Sequence, residues 1–406
     1  MIDIKLIREN PEVFKKRLSG RFESALINEI IKLDGVRRES LKAVEELRAR
    51  QKKVNNPDEG KLLKEEKKKR EVKLKEISSE LEDILASMPN IPDEDVPEGD
   101  AANNRIIRTV GEVDGFSEGS IPHWEIGKML DIIDFETASS ITASFWPFLK
   151  GDGARLEAAM LNFFTEENDV SGFTPLVVPY LVNENSAFGT GQLPKFAGDL
   201  YKTEDGLYLI PTGEVPAGNL FRNKIIDEDK LPLKFQISTP CFRREAGSWG
   251  KLGKGLIRNH QFHKVEIFEY VKPADSPAAL DEMVGCVSAI LQKLKLTHRV
   301  VLLASQDMGF AASKTYDIEV WMKGMKDWLE VSSCSNCRDF QMRRTKTRYR
   351  SSSGEILYPH TLNASAVAVG RVFAALCESG WDGKGCVILP ECLHKFMKKD
   401  SIFKQK

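Results

Sequence analysis

The sequence predicts an α+β protein in which an N-terminal antiparallel helical hairpin precedes a mostly antiparallel sheet flanked by helices. Three observations carry this. From about Ala25 to Met88 the chain is charged, nearly free of glycine and proline, and has apolar residues at helical spacing. After the proline- and acid-rich stretch 89–97 its texture changes to short β-branched and aromatic runs separated by turns. The regular strand–helix–strand repeat of a parallel sheet is missing, and no GxGxxG or GxxxxGKS/T phosphate loop occurs.

Taken in order, the first helix signal is Asn10-Pro11-Glu12, with a cap, a proline in the first turn and an acid near the positive helix end. The hairpin breaks at Asn55-Asn56-Pro57-Asp58-Glu59-Gly60, a turn cluster. Beyond the turn, Leu74, Ile77, Leu81, Ile84 and Met88 repeat at three- and four-residue steps. Before it, Val44, Leu47 and Val54 share the register, with Gln51 as a polar member. Towards the tip the seam turns polar, since Lys67 and Arg70 fall at core positions and only Leu63 is apolar. From Lys61 to Met88 the helix would span about 42 Å. Residues 37–80 hold 15 Lys or Arg against 10 Asp or Glu, in a chain of net charge −1. A solvated helix face accounts for such a charge run on its own, and RNA binding is the sharper alternative. The division expected is residues 1–97, with the hairpin at about 25–88, followed by 98–406.

Seven strand candidates follow: TPLVVPYLV, LYLIPT, LKFQISTPCF, KVEIFEYV, HRVVLL, TYDIEVWM and WLEVSSC. Helices are expected at Arg155–Glu167 and Pro277–Leu294. A strand containing Pro179 belongs at an edge or interface, because proline has no N–H to give the ladder.

Composition narrows the class. Apolar residues make up 41%, against global disorder, and the 59 Lys or Arg nearly cancel the 60 Asp or Glu. A nucleic-acid partner would therefore need a local basic face. The seven cysteines are scattered apart from Cys334-x-x-Cys337. With no second pair, plain structural thiols are favoured over a metal or redox site, in a reduced, cytoplasmic setting. No apolar run is long enough for a membrane span, and the acid-bearing N-terminus does not read as a targeting segment.

Charged and polar side chains interrupt the candidate strands in three clusters. They are Thr212-Gly213-Glu214; Phe242-Arg243-Arg244-Glu245 with Arg258, Phe262 and Glu266; and Glu330-Val331-Ser332-Ser333 with Asn363, Ser365, Gly370 and Arg371. Ion-pair ladders on a solvated face would explain one cluster. Three within probable core strands point to a ligand, since buried charges are costly unless paired or bound.

These clusters carry a resemblance to the class II seryl-tRNA synthetases. GFTPLVVPYLVNENSAFGTGQLPKF resembles their motif one, TPCFRREAGSWGKLGKGLIRNHQFHKVE their motif two, and HTLNASAVAVGR, ahead of VILPECL, their motif three. EVSSCSNCRDFQMRRTKTRYR resembles the segment before motif three, and the match runs from MIDIKLIRENPE through the hairpin. The resemblance implies activation of L-serine by ATP with Mg²⁺, transfer to tRNA(Ser) with tRNA(Sec) as a second candidate acceptor, and a homodimer.

It also implies roles. Arg243 would meet the α-phosphate, with Arg244 beside it, and Glu245 the adenine amino group. Phe262 and Arg371 would sandwich the adenine, and Arg258 and Arg371 lie where the γ-phosphate is held. Glu330 and Ser333 would hold Mg²⁺, with Val331 and Ser332 completing the ATP-binding run. Thr212, Gly213, Glu214, Glu266 and Ser365 would form the serine pocket. Which acid takes the ammonium and which the hydroxyl stays open. Arg243, Glu245 and Arg371 are the expected catalytic residues.

The chain departs from the family pattern at Gly213, where alanine is usual, and at Ala364 and Ala366, where glycines are usual. Their methyls would crowd the backbone or tighten the pocket. Lys254 replaces an arginine of the motif-two loop, Cys377–Trp381 differs from the usual helix end, and the hairpin is shorter than is typical. Only 35 residues follow Arg371, so tRNA selection is expected from the N-terminal hairpin.

Overall fold

A computed structural model describes residues 1–113, 119–246 and 254–404. The chain forms two compact units, Met1–Pro92 and Asp93–Lys406. The first begins with α1 (Ile4–Glu9), capped by the Asp3 carboxylate on the Lys5 N–H, and α2 (Pro11–Arg17). Pro11 opens α2 as the sequence predicts, but the Asn10 side chain makes no capping bond. The hairpin is α3 (Ser24–Gln51) and α4 (Pro57–Ser87). Its turn, residues 52–56, overlaps the predicted cluster at Asn55 and Asn56 and ends where that cluster continues. Asn56 caps α4 through the Asp58 N–H, and Pro57 starts the helix, where its missing N–H costs nothing.

The seam buries Val44, Leu47, Leu63, Ile77, Leu81 and Leu85. Leu85 takes the inward place expected of Ile84, which is only half-buried. Near the tip the contacts are polar: Lys67 Nζ donates to Gln51 Oε1 at 3.3 Å, and Arg48 pairs with Glu71 at 2.8 Å. Arg70 turns outward to Glu66.

In the second unit, Asp93–Val96 are built in rather than left as a free linker. The Asp93 N–H donates to the Ser313 carbonyl, and Val96 packs with Val301, Leu303 and Met308. The elements that position the site are β1 (Arg105–Val110), α5 (Asp152–Val170), β2 (Thr174–Leu176), β3 (Leu233–Phe242) and β4 (Gln261–Val271). There follow α6 (Ser276–Lys293), β5 (His298–Leu302), β6 (Lys314–Met322) and β7 (Asp327–Arg338). The series ends with α7 (Phe340–Thr345), β8 (His360–Ala368) and α8 (Val369–Gly380).

Eight strands make one sheet in the order β1-β5-β6-β7-β8-β4-β3-β2. Every neighbouring pair is antiparallel except β2 with β3. The α+β class and largely antiparallel sheet expected from the sequence are present. The sequence reading did not predict β1 as a strand. Pro179 lies just beyond β2 rather than in a strand, as a residue without an N–H would. Helices α5, α6 and α8 cover one sheet face, and Val265, Ile267, Val331, Cys334, Leu362, Ala364 and Ala366 face that layer. Strand alternation sends the intervening residues to the other face. Among the described residues no helix is long and apolar enough to cross a membrane.

The hairpin seam makes a contrast testable. Leu81→Ala is expected to lower the local stability of α3 and α4 by about 2–5 kcal/mol, the cost of emptying a buried leucine site. Arg48→Ala, which breaks an exposed pair, should cost less than about 1 kcal/mol. Native-state hydrogen exchange of the α3 and α4 amides in the full chain reads both.

Candidate active site

The uncovered face of β4, β7 and β8 floors a cleft with two connected parts of about 470 and 240 Å³. Arg243, Glu245, Arg258, Lys264, Glu330 and Ser365 line both. The larger part adds Thr212, Glu214, Glu266, Ser333 and Asn363, and the smaller adds Phe262, Val331 and Arg371. Residues from all three sequence clusters therefore meet in one cleft.

In the larger part, Thr212 and Gly213 lead into a single helical turn, Glu214–Ala217, and are not in a strand as the sequence reading had them. The turn aims the Glu214 carboxylate inward. Its Oε1 accepts from Gln341 Nε2 at 2.6 Å and Asn363 Nδ2 at 3.2 Å. Gln341 is held in turn by Thr361, whose hydroxyl donates to Oε1 at 2.7 Å. Burial, and then the Glu266 charge, push the Glu214 carboxyl up to about 7. The Glu266 carboxyl is raised by burial too, with the Lys264 and Arg243 charges and the Thr212 hydroxyl opposing.

Gly213 lies behind the pocket and does not line it. A Cβ there would sit 3.2 Å from Glu266 Cβ and 3.3 Å from Ile237 Cγ2, so the alanine usual in the family would press on the base of Glu266. Ala364 and Ala366 do not tighten the pocket. Both methyls are fully buried in the helix-side core, while Asn363 and Ser365 face the cleft.

In the smaller part, the Arg371 Nη1 donates to the Glu330 carbonyl at 2.7 Å and lies 3.2 Å from its carboxylate. Its Nε donates to the Ile257 carbonyl at 3.1 Å. Arg258 Nε donates to Glu245 Oε2 at 2.5 Å. The Arg243 guanidinium lies over the Phe262 ring at 5.2 Å, and its Nε donates to the Pro211 carbonyl. Arg244 lines neither part and lies over Tyr201 instead. Ser332 is buried and donates to the Ser365 carbonyl at 2.5 Å, bracing β7 against β8. Residues 247–253 of the motif-two loop lie outside the described residues, and Lys254 at its end is exposed.

Glu330 and Ser333 reach the cleft together because of a bulge. Glu330 pairs with Glu319 and Ser332 with Ile318, leaving Val331 as the extra residue. Without it, residues three apart would face opposite sides of the sheet. Opposite Ser333 on β6 is Asp317, which sequence reasoning missed. Its Oδ1 is buried without a hydrogen-bond partner, and burial and the Glu330 charge hold its carboxyl well above the usual range. Two carboxylates and a hydroxyl, one oxygen of them orphaned, are a donor set suited to a hard divalent cation that substrate phosphates complete. Burial pushes the Cys334 thiol up to about 12 and raises that of Cys337, so neither offers a ready thiolate.

Comparison with known proteins fits this geometry. Residues 1–57 match the seryl-tRNA synthetase N-terminal domain, and residues 199–380 the class II tRNA synthetase core domain (G, H, P, S and T). A serine--tRNA ligase from Pelotomaculum thermopropionicum is 43% identical over 98% of each chain, and one from Thermoanaerobacter pseudethanolicus 44% over the whole of both. The chain belongs to the seryl-tRNA synthetase family. The seryl-tRNA synthetase of Pyrococcus horikoshii, solved in complex with ATP, superposes with a TM-score of 0.94 at 33% identity and full coverage of both chains. A Giardia lamblia prolyl-tRNA synthetase shares the fold alone, at 18% identity and a TM-score of 0.59. Within these motif segments, the sequence carried no role for Lys264, Asn363 or Gln341, yet Lys264 and Asn363 line the cleft and Gln341 bonds to Glu214. Lys264 and Glu266 are two apart in a strand, and that same-face spacing was the signal available for Lys264.

Glu214 yields a pH-dependent prediction. Its carboxyl titrates near 7 in the folded chain, above the ordinary 4.5, so the folded state binds the extra proton between those values. Its contribution to stability therefore falls as pH rises from about 4.5 to 7. Glu214→Gln should raise the unfolding free energy at pH 8 by on the order of 3 kcal/mol at most, with the difference vanishing below pH ~4.5. Urea unfolding of both proteins across this range checks it.

Proposed function

We propose that this chain activates L-serine with ATP as seryl-adenylate and transfers the seryl group to tRNA(Ser). The observation that carries the reading is the junction of the two parts of the cleft. An acidic part able to take an ammonium and a hydroxyl opens into a cationic, aromatic part able to take a nucleotide, with Arg243 at the boundary. The serine carboxylate attacks the α-phosphorus, the P–O bond to pyrophosphate breaks, and the 3′-terminal ribose hydroxyl of the tRNA then displaces AMP. The nucleophile is already ionised at neutral pH, so the first step needs alignment and charge neutralisation more than a base.

In this reading Thr212, Glu214, Glu266 and Ser365 bind serine. Arg243 meets the α-phosphate after leaving the Phe262 face, which frees that face for the adenine against Arg371. Glu245 accepts from the adenine amino group, releasing Arg258 to the outer phosphates. Glu330 and Ser333 would hold Mg²⁺, which when bound neutralises phosphate charge. Gly213, Arg244, Val331 and Ser332 act from behind the cleft or at its rim.

We divide the labour between a tRNA-binding domain, residues 1–97, and a catalytic domain, residues 98–406. The basic excess of the hairpin supports backbone contacts to the tRNA, with shape more than base identity being read. tRNA(Sec) is a second candidate acceptor, and a cytoplasmic setting agrees with a tRNA substrate. A homodimer is supported by the apolar surface next to the edge strand β2, where Val177 is 99% and Val170 81% exposed.

Two measurements test the reading. Arg243→Ala should nearly abolish serine-dependent ATP–pyrophosphate exchange while leaving the fold intact, a loss of about 3–4 kcal/mol in the transition state. A variant that keeps most of its exchange would show the motif assignment to be wrong. Replacing Ser40–Ser87 with a short linker should spare exchange but collapse aminoacylation, because every assigned activation residue lies at Thr212 or later. Loss of both steps would refute the division, and retention of both would make the hairpin a spacer.

A further inference from the structure

Lys264 has no part in the motif roles described above, yet it is the most enclosed cation in the cleft. Its side chain is 7% exposed, comes from β4 and lines both parts of the cleft. Its Nζ donates to the Thr212 hydroxyl at 2.9 Å and pairs directly with the Glu266 carboxylate. The Thr212 hydroxyl also accepts from the Glu214 N–H at 3.2 Å and lies 3.4 Å from Glu266 Oε2, so it can donate only there. One ammonium thus fixes the rotor of Thr212 and one oxygen of Glu266, leaving the other oxygen to the cleft.

The backbone opposite Lys264 departs from regular pairing. Across from β4, Ser365 pairs with Glu266 and Ala368 with Lys264, so two residues of β8 bulge where one would fit. Val367 sits in this bulge at φ 144°, a conformation rarely adopted by a β-branched residue. A strained bulge beside a buried charge is the arrangement expected where a site, and not packing, sets the geometry.

We propose that Lys264 is a positioning residue for the amino-acid half of the site, locking the Thr212 hydroxyl and Oε2 of Glu266 together so that the remaining carboxylate oxygen of Glu266 is aimed to receive the substrate's ammonium or hydroxyl group. This rests on the serine-activating reading given above. A substrate amino acid is a zwitterion, and a pocket with two carboxylates and no internal cation would repel its carboxylate end. With Lys264 and Arg243 against Glu214 and Glu266, the charges cancel. Of the other titratable groups near this set, the thiols of Cys241 and Cys337 are raised by burial and stay neutral at physiological pH, and Glu245, Arg258 and Glu330 line the cleft beside Lys264.

The test is serine-dependent ATP–pyrophosphate exchange by the full-length enzyme and two variants, Lys264→Met and Lys264→Gln, with KM for serine and for ATP measured from pH 6 to 9. Loss of the ammonium should raise KM for serine about 10- to 100-fold, the range for hydrogen bonds to a charged group, and leave KM for ATP near that of the parent. The pH at which KM for serine levels off should also move upward, because burial then opposes ionisation of Glu214 and Glu266 without the Lys264 charge, leaving Arg243 and the hydrogen bonds from Gln341 and Thr212 in their favour. Lys264→Gln keeps a donor for Thr212 without the charge, so it should show the same pH shift with a smaller rise in KM. It also carries the test if the methionine variant does not fold. Equal rises in both KM values would make Lys264 a phosphate ligand and overturn the proposal, as would an unmoved pH profile. A parent enzyme without serine-dependent exchange would instead refute the functional reading itself.

Discussion

Two carboxylates and an ammonium are buried together on the cleft face of the sheet, and none of them could be there alone. Removing one ion from water costs several kcal/mol even after relaxation, and only close opposite charges and hydrogen bonds return it. Lys264 meets Glu266 and Thr212; Glu214 is held by Gln341 and Asn363; Arg243 completes the balance from the rim. The compensation is incomplete, since burial still raises both carboxyls. That residue of unfavourable energy is what an incoming ammonium can relieve, so the pocket is better satisfied with its ligand than without it.

The sheet supplies this cluster through alternation and through two departures from it. β4 sends Lys264 and Glu266 to the cleft and Val265 and Ile267 to the helix-side core. β8 does the same with Asn363 and Ser365 against Ala364 and Ala366. At Val331 and again at Ala366–Val367, one extra residue shifts the register. The first shift brings Glu330 and Ser333 to one side, and the second sets Ala368 opposite Lys264. A packed apolar layer behind the sheet makes these bulges affordable, because α5, α6 and α8 hold the strands whatever the cleft face carries.

Much of the fold was legible in the sequence. Heptad-like spacing gave the hairpin, and β-branched runs gave most strands of the main sheet, since those signals report burial on one face, which local sequence encodes directly. The missed strand β1 is the exposed edge of the sheet, with no buried face to leave an alternating pattern. The hairpin turn was displaced because Pro57 reads equally as a turn residue and as the first residue of a helix. Thr212-Gly213-Glu214 was placed in a strand by its neighbours Tyr208 and Leu209, which do pair; the chain then turns at Pro211 and Gly213, the local breakers there.

The sequence by itself determined which side chains are present and, through its long ordered match of motifs, the family to which they belong. It determined the alternation that separates Glu266 from its apolar neighbours, because a strand has only two faces. Only the tertiary structure decided that Glu330 and Ser333 share a face, that Asp317 stands opposite them, and that Ala364 and Ala366 point away from the pocket. It also decided that Lys264 is the partner of Glu266 and not a solvated charge. Each of these depends on register between strands far apart in the chain. Register is set by bulges and by packing against helices, which leave no periodic trace in the residues they move.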